Sequence, residues 1–127
     1  MSCLENVTSI GSCAFMYTSL KSMDIPDNVT SIGYNAFGEC DSLTSVIIGN
    51  GVTSIGGVAF QDCESLAFVT IGNSVTSIAE RAFISCSSLA SIKIPDSVTL
   101  IGESAFKGCI YNHRTTKTNQ KYPSVNL

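Results

Sequence analysis

Charge is scarce in this chain: 13% of its 127 residues are Asp, Glu, Lys or Arg, where an ordinary globular domain has about a quarter. Ser, Thr, Gly and Asn fill the deficit, and such a polar, weakly charged surface suits recognition by shape better than electrostatic capture. The formal charge of -3 is also uneven. Residues 1–109 hold four basic and ten acidic groups, a balance of -6, while Arg114, Lys117 and Lys121 give the remainder +3. An acidic body argues against nucleic acid as a partner, because phosphate binding needs Lys and Arg clustered on a folded face. Long apolar runs are missing as well. No stretch reaches the roughly 18 residues needed to span a bilayer, so membrane insertion is not expected. Met1-Ser2-Cys3-Leu4-Glu5 lacks the basic and apolar segments of a signal peptide. Histidine occurs once, at His113, so any Ser–His–Asp or Cys–His set would have to use a residue outside the patterned part of the chain.

What the sequence has is a period. Phe15, Phe37, Phe60, Phe83 and Phe106 are spaced 22, 23, 23 and 23 residues apart, so one short unit is copied about four and a half times. Four more columns keep that register: Val7/Val29/Val52/Val75/Val98, Ile10/Ile32/Ile55/Ile78/Ile101, Leu20/Leu43/Leu66/Leu89 and Ile25/Ile48/Ile71/Ile94. A unit this short cannot bury its apolar side chains alone, whereas stacked copies form a continuous core between neighbours. With 44% hydrophobic residues and a mean hydropathy of +0.29, there is enough apolar material for one packed domain. The first copy starts part-way through its unit, so the chain is expected to be a piece of a longer array or a truncated member.

In the copy from Leu43 to Ser65, Leu43, Val46 and Ile48 follow the spacing L-x-x-L-x-L. The second half alternates, which predicts a strand with Val46 and Ile48 facing inward and Ser45 and Ile47 outward. Turn residues follow at Pro26-Asp27-Asn28, Gly49-Asn50-Gly51, Gly72-Asn73-Ser74 and Pro95-Asp96-Ser97. Val52-Thr53-Ser54-Ile55 then reads as a short β segment on the opposite side, and Ala59-Phe60-x-x-Cys63 as a helical turn or irregular arc.

The run Ser88-Leu89-Ala90-Ser91-Ile92-Lys93-Ile94-Pro95-Asp96-Ser97-Val98-Thr99, followed by Ile101-Gly102, Ala105-Phe106 and Cys109, resembles the leucine-rich repeats of the BspA-like, or Treponema pallidum-type, family. The resemblance covers about residues 3–109. It implies a repeat solenoid: a curved, right-handed stack of 23-residue units, mainly β with short helical or irregular arcs, with a parallel sheet on the concave side. It also implies protein binding or adhesion by that side and a place at the cell surface, or secretion, as part of a larger protein. Two departures stand out. The segment Phe15–Leu20 is one residue shorter than Phe37–Leu43 and has no cysteine, so its arc must be rebuilt. After Cys109 no further strand pattern follows, and residues 110–127 are expected to be a polar, basic tail, disordered or draped over the stack.

Cys40, Cys63, Cys86 and Cys109 fall 23 residues apart, and such a ladder forms a line where a metal site needs convergence. Equivalent residues in stacked copies have parallel Cα–Cβ vectors, leaving Cβ atoms about 4.8 Å apart where a disulfide prefers about 3.8 Å. Buried free thiols are expected, Cys3 joins the core, and Cys13 is the exposed, reactive one. The pairs Glu39/Asp41 and Asp62/Glu64 read as a solvated edge. Asn6-Val7-Thr8 and Asn28-Val29-Thr30 satisfy the glycosylation sequon, although the V-T belongs to the repeat itself.

Recognition is expected where the repeat varies. Phe68 takes the outward slot held by Ser22, Ser45 and Ser91, and the next outward slot reads Asp24, Ile47, Thr70 and Lys93. Phe68 and Ile47 should lie diagonally adjacent on the concave face, flanked by Thr44, Thr70 and Lys93, as an apolar anchor with a polar rim. The leading expectation is a non-enzymatic module that binds a protein, such as a host extracellular protein, through this face without any cofactor. The alternatives are a structural spacer with no binding of its own, and glycan binding through Asp24, Thr44, Thr70 and Phe68. Unpaired core at the stack ends, above all at Val98–Phe106 if the tail does not cover it, would allow end-to-end self-association.

Overall fold

The structure, a computed structural model, describes Leu4, residues 6–90 and residues 92–110. Cys3, Ser91, His113 and the tail beyond Ile110, which carry expectations above, lie outside the described residues. In chain order the strands are β1 (Ser22–Ile25), β2 (Ser31–Ile32), β3 (Ser45–Ile48), β4 (Ser54–Ile55), β5 (Phe68–Thr70), β6 (Ser77–Ile78) and β7 (Leu100–Ile101). They form two parallel sheets, β1-β3-β5 and β2-β4-β6-β7. Single bridges extend them, Thr70 to Lys93 in the first and Ile10 to Ile32 in the second. Each strand pairs with its own copy one unit away, as in Met23↔Val46↔Val69 and Ile32↔Ile55↔Ile78. The sequence period is therefore the sheet register, and the chain is a solenoid of stacked 23-residue units.

Burial follows the alternation. In β3, Val46 and Ile48 are buried while Ile47 is exposed, because successive strand side chains point to opposite faces. The inward columns meet in one core with Leu43, Leu66 and Leu89 and the phenylalanines. From Phe15 to Phe106 the rings stack in one file, with centroids 5.0 to 5.4 Å apart and planes within 8° of parallel. That is offset-stacked geometry set by the strand spacing.

The arc between the two sheets is a chain of turns, the irregular alternative of the two expected. Its amides alternate between two jobs. Ala36 N–H closes a turn on the Gly33 carbonyl and Gly38 N–H one on Asn35, while the amides of Asn35, Phe37 and Glu39 donate to Gly57, Ala59 and Gln61 of the next unit. This pattern needs left-handed backbone twice per unit. The pairs are Cys13/Tyr17, Asn35/Glu39, Val58/Asp62, Arg81/Ser85 and Ser104/Gly108. In the shortened first unit, Thr18 N–H still closes on Phe15 and Thr18 Oγ1 lies 3.4 Å from Cys40 Sγ. Thr18 thus takes the cysteine slot, and the missing residue is absorbed between Thr18 and Leu20.

Val98 and Phe106 are buried, and the tail on which the expected end-to-end association turns lies outside the described residues. At the other end Val7, Phe15 and Leu20 are only partly buried.

Two positions test the backbone account. A Cβ on Gly51 would sit 1.9 Å from the Asp27 carbonyl oxygen of the unit below, so Gly51→Ala is expected to lower stability by about 1–3 kcal/mol, read from thermal unfolding. Val58 is a β-branched residue held at φ 45° where the unit below uses Asn35, a conformation that asparagine tolerates and valine does not. Val58→Asn should raise the unfolding midpoint, by about 1 kcal/mol or more in stability; a lowered midpoint would contradict the strain.

Candidate functional site

The outward face of the β1-β3-β5 sheet carries two registered rows. In one, Ser22, Ser45 and Phe68 are cross-strand partners; in the other, Asp24, Ile47 and Thr70 are, and the bridge adds Lys93. Because Ser45 faces Phe68 and Ile47 faces Thr70, Phe68 and Ile47 are diagonal neighbours, the arrangement expected from the sequence. Phe68 is 71% exposed and Ile47 50%. Asp24, Thr70 and Lys93 are exposed beside them. Ile47 sits between buried Val46 and Ile48 on β3, and Phe68 opens β5 directly before buried Val69. The pleat therefore holds the backbone of both residues from behind while leaving their side chains in solvent.

Thr44 has a second job. Just before β3, its Oγ1 donates to the Lys21 carbonyl at 3.0 Å, and its own carbonyl accepts from the amides of Ala67 and Phe68 at 3.0 and 3.2 Å. It fixes where Phe68 begins its strand, and its hydroxyl proton is already used.

Elsewhere the polar columns are inward-looking. Thr30, Thr53, Thr76 and Thr99 each donate a hydroxyl to the carbonyl of the threonine one unit before, at 3.0 to 3.3 Å. Asn28 Nδ2 donates to the carbonyls of Leu4 and Val7, so the second sequon spends its amide as a clamp on the first unit. Gln61 Nε2 donates to Asn35 Oδ1, and Asn35 Nδ2 to Met16 Sδ, each at 2.9 Å. Sequence reasoning missed both networks, because their partners lie one unit away in positions that do not repeat as a motif.

The thiols of Cys13, Cys40, Cys63, Cys86 and Cys109 are free. Cys40, Cys63, Cys86 and Cys109 each donate Sγ to the carbonyl of the phenylalanine one unit back, at 3.0 to 3.2 Å. Hydrogen bonding to Cys109 and Cys63, reinforced by burial, pushes the Cys86 thiol up; Cys63 and burial do the same to Cys40. A thiol raised in this way stays neutral at physiological pH and is a poor nucleophile. Among the described residues no group of three or more His, Cys, Asp or Glu is placed to hold a metal ion, and no helix is long and apolar enough to cross a membrane.

The sequence model of the BspA-type leucine-rich repeat region matches residues 2–122 in six copies. The chain belongs to the BspA-type leucine-rich repeat family. The match runs past Cys109, where the visible columns stop. This BspA-type chain is similar to a leucine-rich repeat protein of T. pallidum, with 34% identity, a TM-score of 0.77, and coverage of 80% of this chain and 48% of that one. It is also similar to a leucine-rich repeat protein of Bacteroides capillosus, with 32% identity, a TM-score of 0.70, and coverage of 77% and 80%. The chain thus spans about half the length of the T. pallidum protein. No functionally curated protein matches it. Leucine-rich repeat families are generally non-enzymatic structural or protein-interaction repeats.

Thiol accessibility checks the cysteine placement. In the native chain a maleimide is expected to modify exposed Cys13 readily, and Cys63 and Cys86 only at the rate of local opening. Peptide mapping that found Cys63 modified as fast as Cys13 would contradict the burial.

Proposed function

We propose that this chain is a non-enzymatic protein-binding module that holds its partner across the outward face of β1, β3 and β5. One observation carries the reading. Phe68, in a slot where the paired strands have serine, is 71% exposed and diagonal to half-exposed Ile47. The stack does not need these two side chains, since Ser22 and Ser45 fill the Phe68 slot in the neighbouring copies without loss of register. Large apolar side chains that contribute little to the fold and sit in a polar surround have the composition of an interface anchor. Asp24, Thr70 and Lys93 form the rim, with Thr44 positioning Phe68. The family resemblance favours action at a cell surface or in secreted form within a larger protein, with a host extracellular protein as the partner class.

The test is binding of the wild-type chain and its Phe68→Ala variant to a panel of extracellular matrix and serum proteins, with circular dichroism to verify folding. Phe68→Ala is expected to weaken saturable binding by about tenfold or more, since truncation of an anchoring side chain costs upwards of about 1–2 kcal/mol, while thermal stability stays within about 0.5 kcal/mol. Binding unaffected by Phe68→Ala and Ile47→Asp would place recognition elsewhere. No binding by the wild-type chain would favour a spacer role.

A further inference from the structure

The charges along the outward ladder restrict what the proposed binding face, on which this inference rests, can hold. Asp24, Ile47, Thr70 and Lys93 are consecutive register partners, so each step is about 4.8 Å and the carboxylate-bearing and amine-bearing positions are about 14 Å apart. That exceeds the roughly 8 Å screening length at physiological salt. The two ends therefore do not neutralise one another. Among the described residues the one ion pair joins Arg81 to Glu80, and neither Asp24 nor Lys93 takes part. Both are exposed. Between them lie the side chain of Ile47 and, in the adjacent row, the ring of Phe68. The order across the strands is acid, apolar centre, base.

We infer that this face takes an extended peptide segment laid across the strands, with a basic side chain over Asp24, an apolar one over Ile47 and Phe68, and an acidic one over Lys93. The spacing supports it. In an extended chain residues i, i+2 and i+4 share a face at about 6.8 Å intervals, so the outer two are about 13.6 Å apart. Three inter-strand steps of about 4.8 Å span nearly the same length, and the middle residue falls over the Ile47–Thr70 step beside Phe68. The segment reads basic-x-apolar-x-acidic from Asp24 to Lys93. Because side chains alone make the match, its backbone can run in either direction.

The probe is the synthetic peptide acetyl-Thr-Lys-Thr-Leu-Thr-Glu-Thr-amide, titrated into the nitrogen-15-labelled full chain and followed by amide chemical shifts. Controls carry Lys at both charged positions, Glu at both, or Ser in place of Leu. The Lys/Glu peptide is expected to shift the amides of Ile47 and Phe68 and to bind about threefold more tightly than either like-charged peptide, as two solvated ion pairs allow. The Ser control should lose most of the binding. Lys93→Glu should reverse the order in favour of the Lys/Lys peptide. Lys107→Glu changes net charge equally on the exposed arc, away from this sheet, and should leave the order unchanged.

A charge order indifferent to Lys93→Glu, or altered as much by Lys107→Glu, overturns the inference. So does an absence of shifts at Ile47 and Phe68 with every peptide. If Phe68→Ala still abolishes binding of a protein from the extracellular panel in either case, the binding face stands and only the charge-ordered peptide falls.

Discussion

Each core column of this solenoid stacks like on like, one strand spacing apart. Parallel strands lie about 4.8 Å apart, and the phenylalanine rings follow at 5.0 to 5.4 Å with nearly parallel planes. A core residue therefore suits its position only if it packs against its own kind. Phenylalanine does so by offset stacking, and isoleucine, leucine and valine by filling the same slot layer after layer. Truncating a core phenylalanine typically costs about 3–5 kcal/mol, against a total stability of about 5–15 kcal/mol for an ordinary domain. The ring column is thus a large share of what keeps adjacent units in contact.

The same rule governs polar groups. A threonine whose hydroxyl donates to the carbonyl of the threonine below, and a cysteine whose thiol donates to the phenylalanine carbonyl one unit back, use the axial translation as a partner supply. Backbone satisfaction in the arc works likewise, with alternate amides closing turns and reaching the next unit. This arrangement needs left-handed residues twice per unit, and the chain supplies them with Asn35, Gly108 and, at greater conformational expense, Val58. The outward strand positions are exempt from the packing requirement. There the chain changes chemistry from unit to unit, from Asp24 through Ile47 and Thr70 to Lys93.

Much of the fold was legible because translation turns columns in the sequence into rows in space. The spacing of Phe37 to Phe60 is the register that pairs Met23 with Val46, and the alternation around Val46 and Ile48 places Ile47 outward. The diagonal placement of Phe68 and Ile47 follows from these two facts alone. Asn28 was less legible: it read only as part of a sequon and of a turn, whereas the fold turns its amide onto Leu4 and Val7. The left-handed positions escaped notice because they are held by Cys13, Val58 and Arg81, residue types that carry no turn signal, as readily as by Gly108. Thr44 read as a rim hydroxyl, and only the pairing of the strands revealed that its carbonyl sets the start of β5.

The sequence by itself determined the unit length, the inward and outward faces of the strands, the stacking of the core columns and the candidate face, because a period fixes all of these through geometry common to any parallel stack. Tertiary structure decided what the period does not encode. It chose turns over helix in the arc, because only that path lets alternate amides reach the next unit. It also tied Asn28, Asn35 and Gln61 into single-copy bonds. Those bonds depend on which atoms happen to meet across one particular interface between units, and a repeated pattern, being the same at every interface, cannot specify them.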